Sequence, residues 1–124
     1  MKEQEINRYW KRMINTMNDG LLLIGLDGAI IMVNRAFERL TGFSGDEVIG
    51  RPCTLLNCDA CETALSEEED GWCSLFKEGQ ESRKRCLVLR KDGTCLPVLK
   101  NASLLKDARG QVLGAVETLT DISE

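Results

Sequence analysis

The chain has 124 residues, 43% hydrophobic and 29% charged, with a formal net charge of −4. That suits one soluble-type globular domain, and the acidic balance opposes binding to a phosphate backbone. No apolar run approaches the ~20 residues of a membrane span, and the absence of histidine removes Ser-His-Asp triads, Cys-His nucleophiles, histidine-ligated haem and histidine metal sites.

The start, Met1-Lys2-Glu3-Gln4-Glu5, has no apolar core of a secretory signal. The six cysteines are therefore expected to be reduced thiols or metal ligands of a cytoplasmic protein rather than a disulfide framework. Neither a GxxxxGKS/T nor a GxGxxG loop is present, so nucleotide hydrolysis has no machinery here.

From Glu5 to Met17 the residues Ile6, Tyr9, Trp10, Met13, Ile14 and Met17 recur at helical spacing, which predicts an amphipathic helix. Asn18-Asp19-Gly20 reads as its stop, with Gly20 as the left-handed terminal residue. Two short apolar runs follow, Leu21–Ile24 and Ala29–Val33. The Asp27-Gly28 pair between them predicts a hairpin. Asn34 is placed to cap a helix that Gly42 ends, and Ser44 with Glu47 forms a capping-box pattern for a second short helix, stopped at Gly50.

Residues 51–80 have weak periodicity and hold the acidic run Glu67-Glu68-Glu69-Asp70, read as a solvated loop. Strand patterns return at Ser82–Arg90, Thr94–Leu105 and Val112–Leu119, separated by turns at Lys91-Asp92-Gly93 and Lys106–Gly110. Strands joined by short hairpins predict an α+β architecture: a five-stranded antiparallel sheet with short helices on one face.

The residues at the joints carry a resemblance. Asp27–Phe37, Thr41-Gly42-Phe43-Ser44, Glu47-Val48-Ile49-Gly50-Arg51, Arg90-Lys91-Asp92-Gly93-Thr94 and Asp121-Ile122-Ser123 occur in this order. Together they resemble the PAS family of sensory domains over residues 17–123. The resemblance implies a non-catalytic sensory module of a sensor histidine kinase, as in two-component systems, or of a transcriptional regulator. It also implies a pocket between sheet and helices, and relay to an effector domain through Asp121, Ile122 and Ser123. Residues 1–17 are read as a separate helix for dimerisation or linkage and 18–124 as the sensory domain. The expected partners are a second copy of the chain and an effector domain beyond Glu124, with no nucleic acid and no membrane. The alternative is a protein-interaction domain that only dimerises.

Four cysteines, Cys53, Cys58, Cys61 and Cys73, fall within 21 residues in the spacing C-x4-C-x2-C-x11-C. Four thiolates suit zinc or an iron–sulfur cluster, and the spacing is similar in part to oxygen-sensing PAS domains with a four-cysteine cluster, although a second C-x2-C is missing. Redox-active thiols and inert buried cysteines remain as alternatives. Cys86 and Cys95, on strands flanking one turn, are read as packing residues that do not face each other, Cys95 opposite a residue near Arg90 and Cys86 opposite one near Leu99.

A flavin site is weighed because Gly50–Asn57 lines up with the flavin-binding segment of light-sensing LOV domains, Cys53 matching the adduct-forming cysteine. Pro52, Thr54 and Asn57 replace the flavin-contacting residues, and Val88 and Val98 stand where that family has asparagines. Valine offers a flavin ring no hydrogen bond, so flavin is not expected. A small apolar or carboxylate ligand stays open, with Arg51, Arg90 or Lys100 as counter-charge.

Overall fold

The computed structural model describes residues 3–56 and 82–123. In chain order they form α1 (Glu3–Asn15), β1 (Gly20–Gly25), β2 (Ile30–Val33), α2 (Arg35–Thr41), α3 (Gly45–Val48), a 3-10 turn (Cys53–Leu56), β3 (Ser82–Leu89), β4 (Cys95–Lys106) and β5 (Val112–Asp121). The strands make one antiparallel sheet in the order β2-β1-β5-β4-β3, as the hairpin pattern predicts. β1 and β5 pair from Gly20↔Leu119 to Gly25↔Gly114, so the last strand returns to the centre and closes the gap between the two hairpin systems.

All three hairpins use one device. A carbonyl–amide frame closes around three loop residues, the third being a glycine: Gly28, Gly93 and Gly110, with φ of 82°, 90° and 82°. That left-handed region costs an L side chain energy that glycine avoids. In the β3–β4 hairpin the Arg90 N–H donates to Thr94 O (2.8 Å), which sets Leu89 opposite Cys95 and Cys86 opposite Val98. The partners thus lie near Arg90 and near Leu99, as expected, each one residue away because the loop holds three residues.

The same register separates the two cysteines. Cys86 is buried in the core as expected, whereas Cys95 is exposed and does not pack. Gly20 also differs from expectation. It lies in β1 without a positive φ rather than capping α1, and a Cβ there would sit a tight 3.2 Å from the Phe37 Cα of α2.

Alternation along the strands sends Leu22, Ile24, Cys86, Val88, Leu96, Val98 and Leu119 to one face, where they pack with Ile30, Phe37, Val48 and Leu56 from β2 and the helical segments. This inner face is the core. Caps hold the short helices in place. Gly42 ends α2 at φ 80°, Gly45 N–H donates to Glu38 Oε2 (2.7 Å), and Ser44 N–H donates to Glu47 Oε2 (2.8 Å), the returning half of the predicted capping box. At the other end of α2, Asn34 is buried and serves four backbone groups. Its Oδ1 accepts from Phe37 N (2.9 Å) and Leu21 N (2.8 Å), and its Nδ2 donates to Ile14 O (2.9 Å) and Asp19 O (3.1 Å).

Candidate functional site

The inner face changes character partway along the two strands at its middle. β4 presents Leu96, Val98, Lys100 and Ala102 inward, and β5 presents Leu119, Glu117 and Ala115. Lys100 lies opposite Leu119 and Glu117 opposite Ala102, so the two charged residues are diagonal neighbours on one face. Lys100 Nζ stands 3.2 Å from Glu117 Oε1, with side-chain exposures of only 10% and 4%. A charge removed from water is costly unless paired, and each residue here is the other's counter-charge.

Lys100 is thus the one of the three predicted counter-charge residues that the fold buries. Arg51 is exposed in the turn after α3. Arg90 is half-buried at the base of the β3–β4 hairpin, its Nε buried without a hydrogen-bond partner among the described residues. Glu117 was missed by sequence reasoning. Its signal was present, however: an acidic residue at an inward position of a strand whose other inward residues, Ala115 and Leu119, are apolar.

Of the cysteine cluster, Cys53 is half-buried at the start of the 3-10 turn, its N–H donating to Gly28 O (3.0 Å) and its side chain against the core. Cys58, Cys61 and Cys73 lie outside the described residues. Among the described residues no three His, Cys, Asp or Glu side chains are grouped to hold a metal ion.

Val88 and Val98 are 1% and 0% exposed within the apolar cluster, and Pro52, with no N–H of its own, is exposed.

The exit from the sheet is tied off locally. Asp121 ends β5, Ile122 N–H donates to Pro97 O (3.2 Å), and Ser123 N–H donates to Asp121 Oδ1 (2.8 Å). The Ser123 hydroxyl hydrogen bond, then its backbone N–H, and last the charge of Arg90 hold the Asp121 carboxyl below its usual pKa. The three residues of the predicted relay thus form one hydrogen-bonded turn at the end of the central strand, opposite Val98 of β4.

One five-stranded antiparallel sheet with a few helices, a mostly apolar inner face and, among the described residues, a buried Lys100–Glu117 ion pair define an α+β protein. A family model for the PAS domain matches residues 18–124, and the chain belongs to that family. It is 28% identical over 98 residues to the biofilm dispersion protein BdlA of Pseudomonas aeruginosa, covering 77% of this chain and 22% of that protein. It is 30% identical over 101 residues to phototropin-2 of Oryza sativa subsp. japonica, covering 79% of this chain and 10% of that one. The chain thus spans a small part of the length of these curated relatives.

Among solved structures, the PAS domain of a protein from Colwellia psychrerythraea superimposes with a TM-score of 0.77 at 22% identity, covering 94% of this chain and 97% of that one. The LOV domain of the blue-light activated histidine kinase EL346 of Erythrobacter litoralis gives 0.70 at 23% identity, covering 87% and 99%. At these identities the likeness is one of fold.

Proposed function

We propose that this chain is the sensory module of a signal-transduction protein, a sensor histidine kinase or a transcriptional regulator, and performs no catalysis itself. It detects a small ligand or a redox state at the inner face of the sheet and relays the change to an effector domain. The observation that carries this reading is the course of β5: the central strand bears Glu117 on the inner face and ends at Asp121, four residues further along the same face. A rearrangement around Glu117 therefore has a short, hydrogen-bonded path to the exit turn Asp121-Ile122-Ser123. Such a module works by shifting a population between two arrangements, the ligand or redox state favouring one of them.

The redox arm of the proposal rests on Cys53, Cys58, Cys61 and Cys73 as a four-thiolate site for zinc or an iron–sulfur cluster. The test is an ultraviolet–visible spectrum with elemental analysis of the 124-residue chain purified without air. Stoichiometric iron with visible charge-transfer bands, or stoichiometric zinc, is the expected result. Trace metal only would remove this arm and leave the small-ligand arm.

A second copy of the chain is the proposed partner. Tyr9, Trp10 and Met13 of α1 remain 41%, 36% and 42% exposed, and a lone helix of this length is marginal in water unless its apolar side is covered. The same exposed stripe favours the competing reading, a dimerisation module that binds no small molecule. Discovery of a bound metal or ligand decides between the two.

A further inference from the structure

β3 is the last strand in the sheet order, paired with β4 along one side from Ser82↔Ala102 to Leu89↔Cys95. Among the described residues no strand pairs with its other side. An edge of this kind offers a row of backbone N–H and C=O groups to an added strand. Its sequence is Ser-Arg-Lys-Arg-Cys-Leu-Val-Leu. Cys86 and Val88 are buried in the core, so alternation puts Arg83, Arg85 and Leu87 on the outer face of the sheet and Lys84 on the other.

Arg83, Lys84 and Arg85 are all exposed. None of them takes part in the ion pairs among the described residues, which join Lys91 to Glu47 and Lys100 to Glu117. Their cross-strand neighbours on β4 are Asn101, Lys100 and Leu99, none of them acidic. Three consecutive positive charges thus line the rim of a chain whose net charge is −4, with no carboxylate among the described residues set against them. Leu87, 46% exposed, follows the two arginines in step on the same face.

We infer that the outer edge of β3 is a docking site for an acidic, extended segment of a partner protein, which adds to the sheet as a further strand. Two residues along a strand span roughly 6.6–6.8 Å. Acidic side chains at alternate positions of the incoming segment therefore meet Arg83 and Arg85, and an apolar side chain two positions further covers Leu87. Opposite charges directly across a strand pair favour pairing and like charges oppose it. That rule turns away a second copy of the chain, because an antiparallel β3–β3 pair centred on Lys84 sets arginine opposite arginine and lysine opposite lysine. Charged residues on an edge deter unwanted pairing whichever sign they carry; a run of one sign also selects what is admitted. The acidic balance of the whole chain disfavours nucleic acid, whose phosphates the other carboxylates repel. The site lies on the rim of the sheet and stands whether or not the inner face holds a ligand.

The test titrates the 124-residue chain with acetylated, amidated peptides of sequence TETETVT, TQTQTVT and TKTKTVT, followed by amide-resolved NMR. TETETVT should shift the amides of Arg83, Arg85 and Leu87 and bind at least about tenfold more tightly than TQTQTVT. The Arg83→Glu, Arg85→Glu double variant keeps the edge charged and should reverse the order, admitting TKTKTVT and rejecting TETETVT. The Lys106→Glu, Arg109→Glu variant changes the net charge equally at the β4–β5 hairpin and should leave the affinity within about twofold. No shift with any peptide at millimolar concentration, equal affinity for TETETVT and TQTQTVT, or an equal loss in the hairpin variant would each overturn the inference. Tighter binding to phosphatidylglycerol vesicles or single-stranded DNA than to TETETVT would do the same. So would a large gain in affinity when Glu67, Glu68, Glu69 and Asp70 are replaced by their amides, because the chain's own acidic run would then be the occupant. Should the β3 double variant fail to fold, the comparison of TETETVT with TQTQTVT on the parent chain decides.

Discussion

Asn15 and Asn34 cap each other's helices. The Asn34 amide donates to Ile14 O at the C-terminal end of α1 (2.9 Å), while Asn15 Oδ1 accepts from the Arg35 N–H at the start of α2 (2.8 Å). Each side chain satisfies an end group that the other helix cannot satisfy internally, so the front helix is held to the core by a reciprocal exchange.

The two halves of this exchange are unequal, and mutation should reveal it. Asn34→Ala strands four backbone groups, one buried and three part-buried, and is expected to cost about 3 kcal/mol by urea denaturation. Asn15→Ala leaves Arg35 N–H near solvent and should cost roughly 0.5–1 kcal/mol. Hydrogen exchange adds a second readout. Asn15→Ala should accelerate exchange in α1 while leaving β4 and β5 protected.

Gly114 is fixed by close approach of two backbones. A Cβ there would run into the Ile24 carbonyl oxygen across the β1–β5 pairing. Gly114→Ala is therefore expected to destabilise the domain by about 2–4 kcal/mol. At Gly93 a Cβ meets nothing within 4 Å but φ is +90°, so Gly93→Ala should cost only about 1 kcal/mol, the left-handed backbone alone. Similar midpoints for the two variants would contradict this distinction.

Three surface carboxyls link stability to pH. Glu47 is held below its usual 4.5 chiefly by its hydrogen bond to Lys91, and Asp92 and Asp121 below 3.8 chiefly by the hydroxyls of Thr94 and Ser123. A carboxyl depressed in the folded state stabilises fully above its unfolded value and loses that contribution as pH falls through the folded one. Stability should thus be flat above about pH 5 and decline below the Glu47 value of 4.5. Glu47→Gln should lower stability slightly at neutral pH and make the acid limb shallower. An acid limb unchanged in that variant would count against the Lys91 contact.

The cysteines should separate by role. If the four-thiolate proposal holds, Cys58→Ser and Cys61→Ser each lose bound metal, and a chelator lowers the melting temperature of the parent chain but not of those variants. Cys95→Ser, at an exposed position, should change neither metal content nor stability. Cys86→Ser places a hydroxyl in the core and should cost about 1–3 kcal/mol with metal retained.

Dimerisation by α1 is tested at its exposed stripe. Sedimentation at tens of micromolar should give a dimer for the parent chain. Trp10→Glu with Met13→Glu should give a folded monomer, since both side chains are already exposed in the single chain. A monomeric parent would remove the second copy from the proposed partners.

The local chemistry of the chain was readable from its residues. Asn34 and Gly42 bound α2, Ser44 and Glu47 open α3, and Gly28, Gly93 and Gly110 close the three hairpins, because capping and positive φ involve only residues a few positions apart. The antiparallel sheet followed from those hairpins. The partners of Cys86 and Cys95 were legible only to within a residue, because the loop length sets the register, and Gly20 was misread because its close neighbour, the Phe37 backbone, lies 17 positions away in sequence.

Composition and spacing by themselves determined the elements, their caps and the α+β class, since each depends on short-range sterics and hydrogen bonds. Tertiary structure alone decided that β5 lies between β1 and β4, that Asn15 and Asn34 serve each other's helices, and that Lys100 meets Glu117. The β1–β5 pairings, the asparagine exchange and the ion pair join residues from 17 to 99 positions apart. A pairing at such range is set by which face each strand turns inward and which strand it lies beside, and neither is fixed until the whole sheet has assembled.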